Sequence, residues 1–302
     1  IMKKILAMLL ALVMALSLAA CASTQPAAEP AASSDAPAES GKTYTVGVCQ
    51  LVQHEALDAA TQGFVDALKE ALGDAVTIDV QNASGDSVNC GTIVNGFVSK
   101  GVDLIMANAT PALTAAVSAT ADIPILGTSI TAYGVALDID DFSGTVGGNI
   151  SGTSDLADLQ KQAQMILDWF PETKTVGLLF CSAEPNSRYQ IDEVRKALEA
   201  QGVTCEEFAF TDSNDVSSVA QKAADFSDVV YIPTDNTAAS NTEAIANVLI
   251  PAGVPAICGE EGLCRGCGVA TLSISYYGLG VTTGKMAAKI LTGEADISEM
   301  PI

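Results

Sequence analysis

The sequence predicts an α/β protein in two halves, each a parallel sheet covered by helices on both faces. Three observations lead there. Strand-like and helix-like segments alternate from Tyr44 to the end of the chain, and the alternation breaks once, over Ser129–Asn149, before restarting. Each half also holds a buried strand that runs into a polar turn opening a helix: Met106-Ala-Asn-Ala-Thr-Pro111 in one, Tyr231-Ile-Pro-Thr-Asp-Asn236 in the other. Such alternation leaves parallel strands linked by crossover helices. Ligands of open parallel sheets bind beyond the carboxyl ends of the strands, so two facing sheets make a cleft between lobes.

The elements follow in order. Tyr44–Val52 is rich in β-forming residues and reads as a strand. Leu57, Ala60, Phe64, Leu68 and Leu72 recur at helical spacing, which makes Ala56–Leu72 a helix. Val76–Val80 is a strand, Ser87–Lys100 a helix, Val102–Ala107 a buried strand, Ala112–Thr120 a helix and Ile123–Leu126 a short strand. Ser129–Asn149 is rich in Gly, Asp and Thr without helical periodicity, and reads as a crossover. Leu156–Phe170 is a helix stopped by Pro171, followed by strand Thr175–Phe180, helix Ser187–Ala200 and strand Cys205–Phe210. Then come helix Val216–Ala224, strand Val229–Ile232, helix Thr237–Ile250, strands Val254–Cys258 and Val269–Ile274, and helix Tyr277–Leu291.

The start of the chain has another character. Lys3 and Lys4 precede an apolar run, Ile5–Leu16, that is short for a membrane span. It ends in Leu18-Ala19-Ala20-Cys21, which resembles a bacterial lipoprotein signal in which Cys21 is acylated. Residues 1–20 are therefore expected to be a signal peptide. Ala22–Gly41 has no apolar side chain larger than Ala and carries three prolines, and residues 21–42 are expected to be a disordered, lipid-anchored tether. A flexible chain of that length spans roughly 25 Å.

Charge excludes one class of partner. The 302 residues carry 14 basic and 36 acidic side chains, a net charge of −22; without Lys3 and Lys4 the balance is 12 − 36 = −24. Nucleic acid is held by clustered Lys and Arg, and this chain has no basic run.

Catalytic constellations are hard to build from this composition. The single histidine is His54, after the first strand, and neither HExxH nor GxSxG occurs. Gly278-Leu-Gly280-Val-Thr-Thr-Gly284-Lys285 misses the dinucleotide spacing by one residue and the phosphate-loop spacing as well, so these glycines are expected to allow close helix–sheet packing. Cys264-Arg-Gly-Cys267 is compatible with buried or incidental thiols, a local disulfide or part of a metal site. Of the remaining thiols after Cys21, Cys49, Cys181, Cys205 and Cys258 fall in strands and Cys90 opens a helix. Asp140-Asp141 reads as a solvated pair, whereas Glu260 follows a short buried strand and should approach the cleft.

Five segments in order carry a resemblance. They are Gln50-Leu-Val-Gln53-His54-Glu-Ala-Leu57-Asp58, Asn108-Ala109-Thr110-Pro111, Glu184-Pro-Asn186-Ser187, Pro233-Thr234-Asp235-Asn236 and Ser275-Tyr276-Tyr277-Gly-Leu-Gly280. From Thr43 to the end, the chain resembles the substrate-binding lipoproteins of a bacterial ABC-importer family. That family has the type I periplasmic-binding fold, and its characterised members are associated with aromatic amino acids, chiefly tryptophan. The resemblance implies two Rossmann-like domains joined by hinge strands, with crossovers near Asp141–Ser151 and Ala270–Ser275 and the last helix returning to the first lobe. The lobes would be 43–147 plus 276–302, and 148–275. The family usually continues into a third crossover and a terminal helix, so the chain looks truncated at Ile302. The resemblance also implies a monomer without cofactor or metal, anchored outside the cytoplasm by its lipid, that delivers a small solute to a membrane permease.

Holding an amino acid requires donors for a carboxylate and an acceptor for an ammonium. Thr110, Asn186 and Ser187 stand where helices begin and free N–H groups can take an anion, with plain N-capping as the simpler role. Asp235 or Glu260 would take the ammonium. Leu57, Tyr133, Tyr189 and Tyr276 are candidate walls. Gln53, His54, Asp58, Asn108, Ala109, Ser129, Glu184, Thr234 and Asn236 complete the expected ligand-binding set. Two other classes stay open: a sensor that presents its closed form to a receptor, and a two-domain racemase or isomerase acting through Cys181 or Cys258.

Overall fold

The computed structural model describes residues 41–302, which form one compact unit. The expected signal peptide, Cys21 and nearly all of the tether lie outside the described residues. Among the described residues no helix is long and apolar enough to cross a membrane.

Two parallel five-stranded sheets build the unit. The first lobe contains β1 (Tyr44–Gln50), α1 (Glu55–Leu72), β2 (Val76–Asn82), α2 (Ser87–Lys100), β3 (Leu104–Asn108), α3 (Thr110–Ala119), β4 (Ile125–Ile130), α4 (Tyr133–Leu137) and β5 (Ile150–Ser154). Its strand order is β2-β1-β3-β4-β5. The second lobe contains α5 (Leu159–Trp169), β6 (Thr175–Cys181), α6 (Pro185–Glu199), β7 (Thr204–Phe210), α7 (Val216–Phe226), β8 (Val229–Ile232), α8 (Asn236–Ala239), α9 (Thr242–Ala252), β9 (Ala256–Cys258), α10 (Glu261–Cys267) and β10 (Ala270–Thr271). Its order is β10-β9-β8-β6-β7. The last helix, α11 (Tyr276–Thr292), returns to the first lobe and packs along α1.

Central strands such as Leu104–Asn108 are buried along their whole length, as sheets covered on both faces require. Each sheet has an apolar layer on either face. In the first lobe one layer gathers around Phe97 and Leu113, the other around Phe64 and Leu68. In the second, the layers centre on Phe210 and Ile245, and on Phe180 and Ile191.

Four expectations need correction. The segment after Ser129 does not cross between lobes: Ser129–Ile130 finish β4, a short helix follows, and β5 adds in parallel to the edge of the same sheet. The chain therefore leaves the first lobe after Ser154 rather than at 147. The expected helix Thr237–Ile250 is two helices, broken at Ser240-Asn241, and the strand expected over Val269–Ile274 is only Ala270–Thr271. The glycines of the last helix serve helix–helix rather than helix–sheet contact. A Cβ on Gly280 would fall on the Ala60 carbonyl oxygen, and one on Gly63 would meet the Tyr277 carbonyl. The segment beyond α11 runs beside β5, where the Ser151 hydroxyl donates to the Met300 carbonyl at 3.0 Å. Ile302 N–H there donates to the Gly144 carbonyl.

Candidate functional site

The two lobes face each other with the carboxyl ends of their strands, and a narrow chamber lies between them. The first lobe contributes His54 and Leu57 from the start of α1, and Ser129 and Thr131 from the end of β4. The second contributes Asn186 at the first turn of α6, Thr234–Asn236 from the turn after β8, Ala239, and Glu260 after β9. Asp155 and Tyr276 come from the two segments that cross between lobes.

The hinge end of the chamber is built by those crossings. The Tyr276 hydroxyl donates to Asp155 Oδ2 at 2.9 Å, tying one crossing segment to the other. The Asp155 N–H donates to the Ile130 carbonyl, which sets this carboxyl next to Ser129. Burial pushes the Asp155 carboxyl above its ordinary range. Ser129 has a φ of 56°, left-handed for a residue with a side chain, and Ala109 at the end of the neighbouring β3 has 89°. Strain of this kind concentrates at functional sites. Behind the hinge, buried Gln162 donates to the carbonyls of Gly259 and Leu272 and accepts from Tyr231.

A second network centres on Glu184. Its carboxylate accepts from Thr237 N–H at 2.9 Å, Thr237 Oγ1 at 2.8 Å, Asn236 N–H at 3.0 Å, Asn236 Nδ2 at 2.7 Å and Asn186 Nδ2 at 3.2 Å. These donors fix the α8 turn against α6. His54 of the first lobe reaches across, with Nε2 3.2 Å from Asn236 Oδ1. A second link between lobes is the ion pair of Arg265 in α10 with Glu55 in α1.

The expected ammonium partners are both engaged by backbone. Asp235 accepts from Cys181 N–H at 2.6 Å and Ala238 N–H at 2.8 Å, and burial beside Glu184 pushes its pKa up to about 8. Glu260 caps α10 through Gly262 and Leu263 N–H, and burial raises it as well. Asp155, which the sequence reading did not single out, is different: its Oδ1 has no hydrogen-bond partner. His54 Nδ1, Ser129 Oγ and Asn186 Oδ1, all on chamber-lining residues, are likewise buried without partners.

Other expected residues lie elsewhere. Asp58 accepts from Gln50 Nε2 at 2.6 Å, and Asn108 Nδ2 donates to the Leu57 carbonyl and Thr61 Oγ1, each at 2.9 Å; both support α1 from behind. Thr110 and Ala109 are buried at the start of α3 and do not line the chamber. Ser187, also outside the lining, sets its hydroxyl against Asp235. Gln53 stands at an outer rim with Arg265. Tyr133 is buried under its own sheet, donating to the Thr153 carbonyl, and Tyr189 packs against α5 and β6 rather than the chamber. Burial pushes the Cys181 thiol up to about 11, which suppresses the thiolate a nucleophile needs. Cys264 and Cys267 are free thiols three residues apart, the first within α10 and the second at its end, and the described residues contain no cluster of three metal-ligating side chains.

Comparison with known proteins adds the family. The profile of a family described as ABC transporter substrate binding protein matches residues 45–301. The tyrosine-binding protein of Clostridioides difficile (strain R20291) is 32% identical over 270 residues, covering 87% of this chain and 77% of that protein. A Streptococcus pneumoniae domain solved in complex with L-Trp is 32% identical over 86% of this chain and 88% of that one, with a TM-score of 0.82. A Clostridium difficile substrate-binding protein with adhesive properties, solved in a ligand-free, open structure, is 35% identical over 86% and 88% of the two chains, with a TM-score of 0.62. The relative with more identical residues has the less similar shape.

Proposed function

The chain belongs to the ABC transporter substrate binding protein family, and on that premise we propose that it captures one free amino acid, with an aromatic side chain, by closing its lobes around it. Members of this family work outside the cytoplasm and are not enzymes. The observation that carries the reading is the set of four buried polar atoms without partners, drawn from both lobes and the hinge, around a single chamber. Unpaired buried polar groups cost about 1–3 kcal/mol each, so a site that gathers four of them is shaped for a polar solute.

Asp155 Oδ1 receives the ligand ammonium, and the cation favours the ionised carboxyl against the effect of burial. The Ser129 hydroxyl and the free N–H groups at the start of α1 face the carboxylate, aided by the helix dipole. Leu57 and the Tyr276 ring flank the side chain. An aromatic ligand is supported by the tyrosine-binding relative and the L-Trp complex. Because the solute touches both lobes only when they are shut, it stabilises the shut form by its differential affinity. A permease then recognises that form and takes the solute onward. Acylated Cys21 and the segment 22–41 hold the protein to the membrane within reach of that permease.

A thermal-shift screen of the protein against the amino acids tests this. A ligand at 100 times its Kd adds about 2.7 kcal/mol of stability. An aromatic amino acid should raise the melting temperature; a response only to a sugar or nucleoside would refute the assignment.

A further inference from the structure

The Glu184 network has a donor–acceptor pattern of its own, and its consequence rests on the reading that an amino acid binds with its ammonium at Asp155. Asn236 Nδ2 donates to Glu184 at 2.7 Å, and a carboxylate only accepts, so Asn236 Oδ1 must be the atom facing His54. Oδ1 can only accept in turn, which places the imidazole proton on Nε2. Burial lowers the His54 pKa and keeps the ring neutral. Nδ1 therefore carries a lone pair, and it is buried without a partner.

Asn186 is fixed by the same logic. Its Nδ2 lies 3.2 Å from Glu184 Oε2 and 3.2 Å from the Thr234 carbonyl, both acceptors. Its Oδ1 is thus an acceptor too, and it also has no partner. His54 comes from the first lobe and Asn186 from the second, and both belong to one hydrogen-bonded network with Asn236 and Glu184. At the hinge, Tyr276 donates to Asp155 Oδ2, and the Asp155 N–H to Ile130 carbonyl bond sets Ser129 beside them. The hinge group fits a zwitterion; the network offers two acceptors and asks for a donor.

We propose that His54 Nδ1 and Asn186 Oδ1 select ligands whose side chain ends in a hydrogen-bond donor, a phenol hydroxyl or an indole N–H, over side chains of similar shape that lack one. An amino acid without that donor leaves both acceptors buried and unpaired once the lobes close, whereas the same group in water costs nothing. Sites built to hydrogen-bond a ligand group reject analogues lacking it far more strongly than apolar pockets reject a missing methylene.

Titration calorimetry of the protein with L-tyrosine, L-tryptophan, L-phenylalanine, O-methyl-L-tyrosine and 1-methyl-L-tryptophan reads this directly. At least one of tyrosine and tryptophan should bind about 10–100-fold more tightly than phenylalanine and than its own methylated analogue, the range for one unsatisfied buried group. In His54→Leu that ratio should shrink to a few-fold; it is read as a ratio because loss of the His54–Asn236 link between the lobes weakens every ligand alike. The comparison within the unaltered protein stands even if the variant folds poorly. Phenylalanine binding as tightly as tyrosine and tryptophan would overturn the donor selection and leave the amino-acid reading intact. Failure of all five to bind would overturn that reading and the selection together.

Discussion

Asp155→Asn should move ligand affinity and intrinsic stability in opposite directions. Asp155 is buried, with one oxygen held by Tyr276 at 2.9 Å and the other without a partner. The amide is nearly isosteric, and its oxygen can still accept from the tyrosine hydroxyl. Without ligand, the substitution removes a buried carboxyl that burial already disfavours in its charged form, so the protein should melt no lower than the parent and somewhat higher at pH 8. With ligand, it removes the carboxyl that faces the ammonium in the proposed complex. Breaking a buried ion pair by removing one partner costs about 3–5 kcal/mol, and at 1.36 kcal/mol per decade this is roughly a 10²–10⁴-fold loss of affinity. Paired thermal melts and calorimetry with the best-bound amino acid measure both quantities on one sample. Parent-like affinity in a folded variant would remove Asp155 from the ammonium site. Reduced affinity with an equally reduced ligand-free melt would instead mean that the side chain only supports the hinge.

Two further outcomes follow from local physics. The Asp235 carboxyl keeps its proton to about pH 8 in the folded protein but ionises near 3.8 when unfolded. The folded state then binds more protons between these values, and its stability falls as pH rises through that window. Asp235→Asn turns its NH2 towards one of the two backbone N–H groups that Asp235 accepts from, so it should be less stable than the parent near pH 4.5, and the deficit should narrow towards pH 8.5 in urea titrations; a deficit that does not change with pH would contradict the raised carboxyl. Gly280→Ala places a methyl on the Ala60 carbonyl and must part α1 from α11, costing about 1–3 kcal/mol. Gly91→Ala, in α2 with open space around it, should be neutral or gain up to about 1 kcal/mol. Equal effects in the two variants would show that the helix–helix contact is not tight.

Much of this architecture is legible in the sequence because buried parallel strands are continuous apolar runs and their helices keep a 3.6-residue period. The strand Ile150–Ser154 is not, since it reads Ile-Ser-Gly-Thr-Ser. Its central residue must be glycine: a Cβ on Gly152 would collide with the Gly127 carbonyl and the Tyr133 hydroxyl. That edge strand falls between the crossover expected to end at Asn149 and the helix expected to begin at Leu156, in a stretch given no element, and Asp155 lies there with it. The available signal was an aspartate directly after a short segment bounded by turn residues, the carboxyl end of a strand. The chamber turns at His54, Asn186 and Asp235 were legible, because polar residues opening helices after apolar strands stand out. Their division of labour was not, since the backbone partners that occupy Asp235 and Glu260 come from tertiary contacts and local caps invisible to composition. Asp58, Asn108 and Glu184 share the same turns but spend their hydrogen bonds on protein groups.

A crystal structure of the protein grown with L-tyrosine would show whether the two lobes shut on one amino acid held by its ammonium at the hinge. The expected density is a single amino acid between the lobes, its nitrogen within hydrogen-bond distance of Asp155 Oδ1 and its ring beside Leu57 and Tyr276. Lobes shut with the amino acid bound outside the chamber, or its ammonium against Asp235 and remote from Asp155, would contradict it.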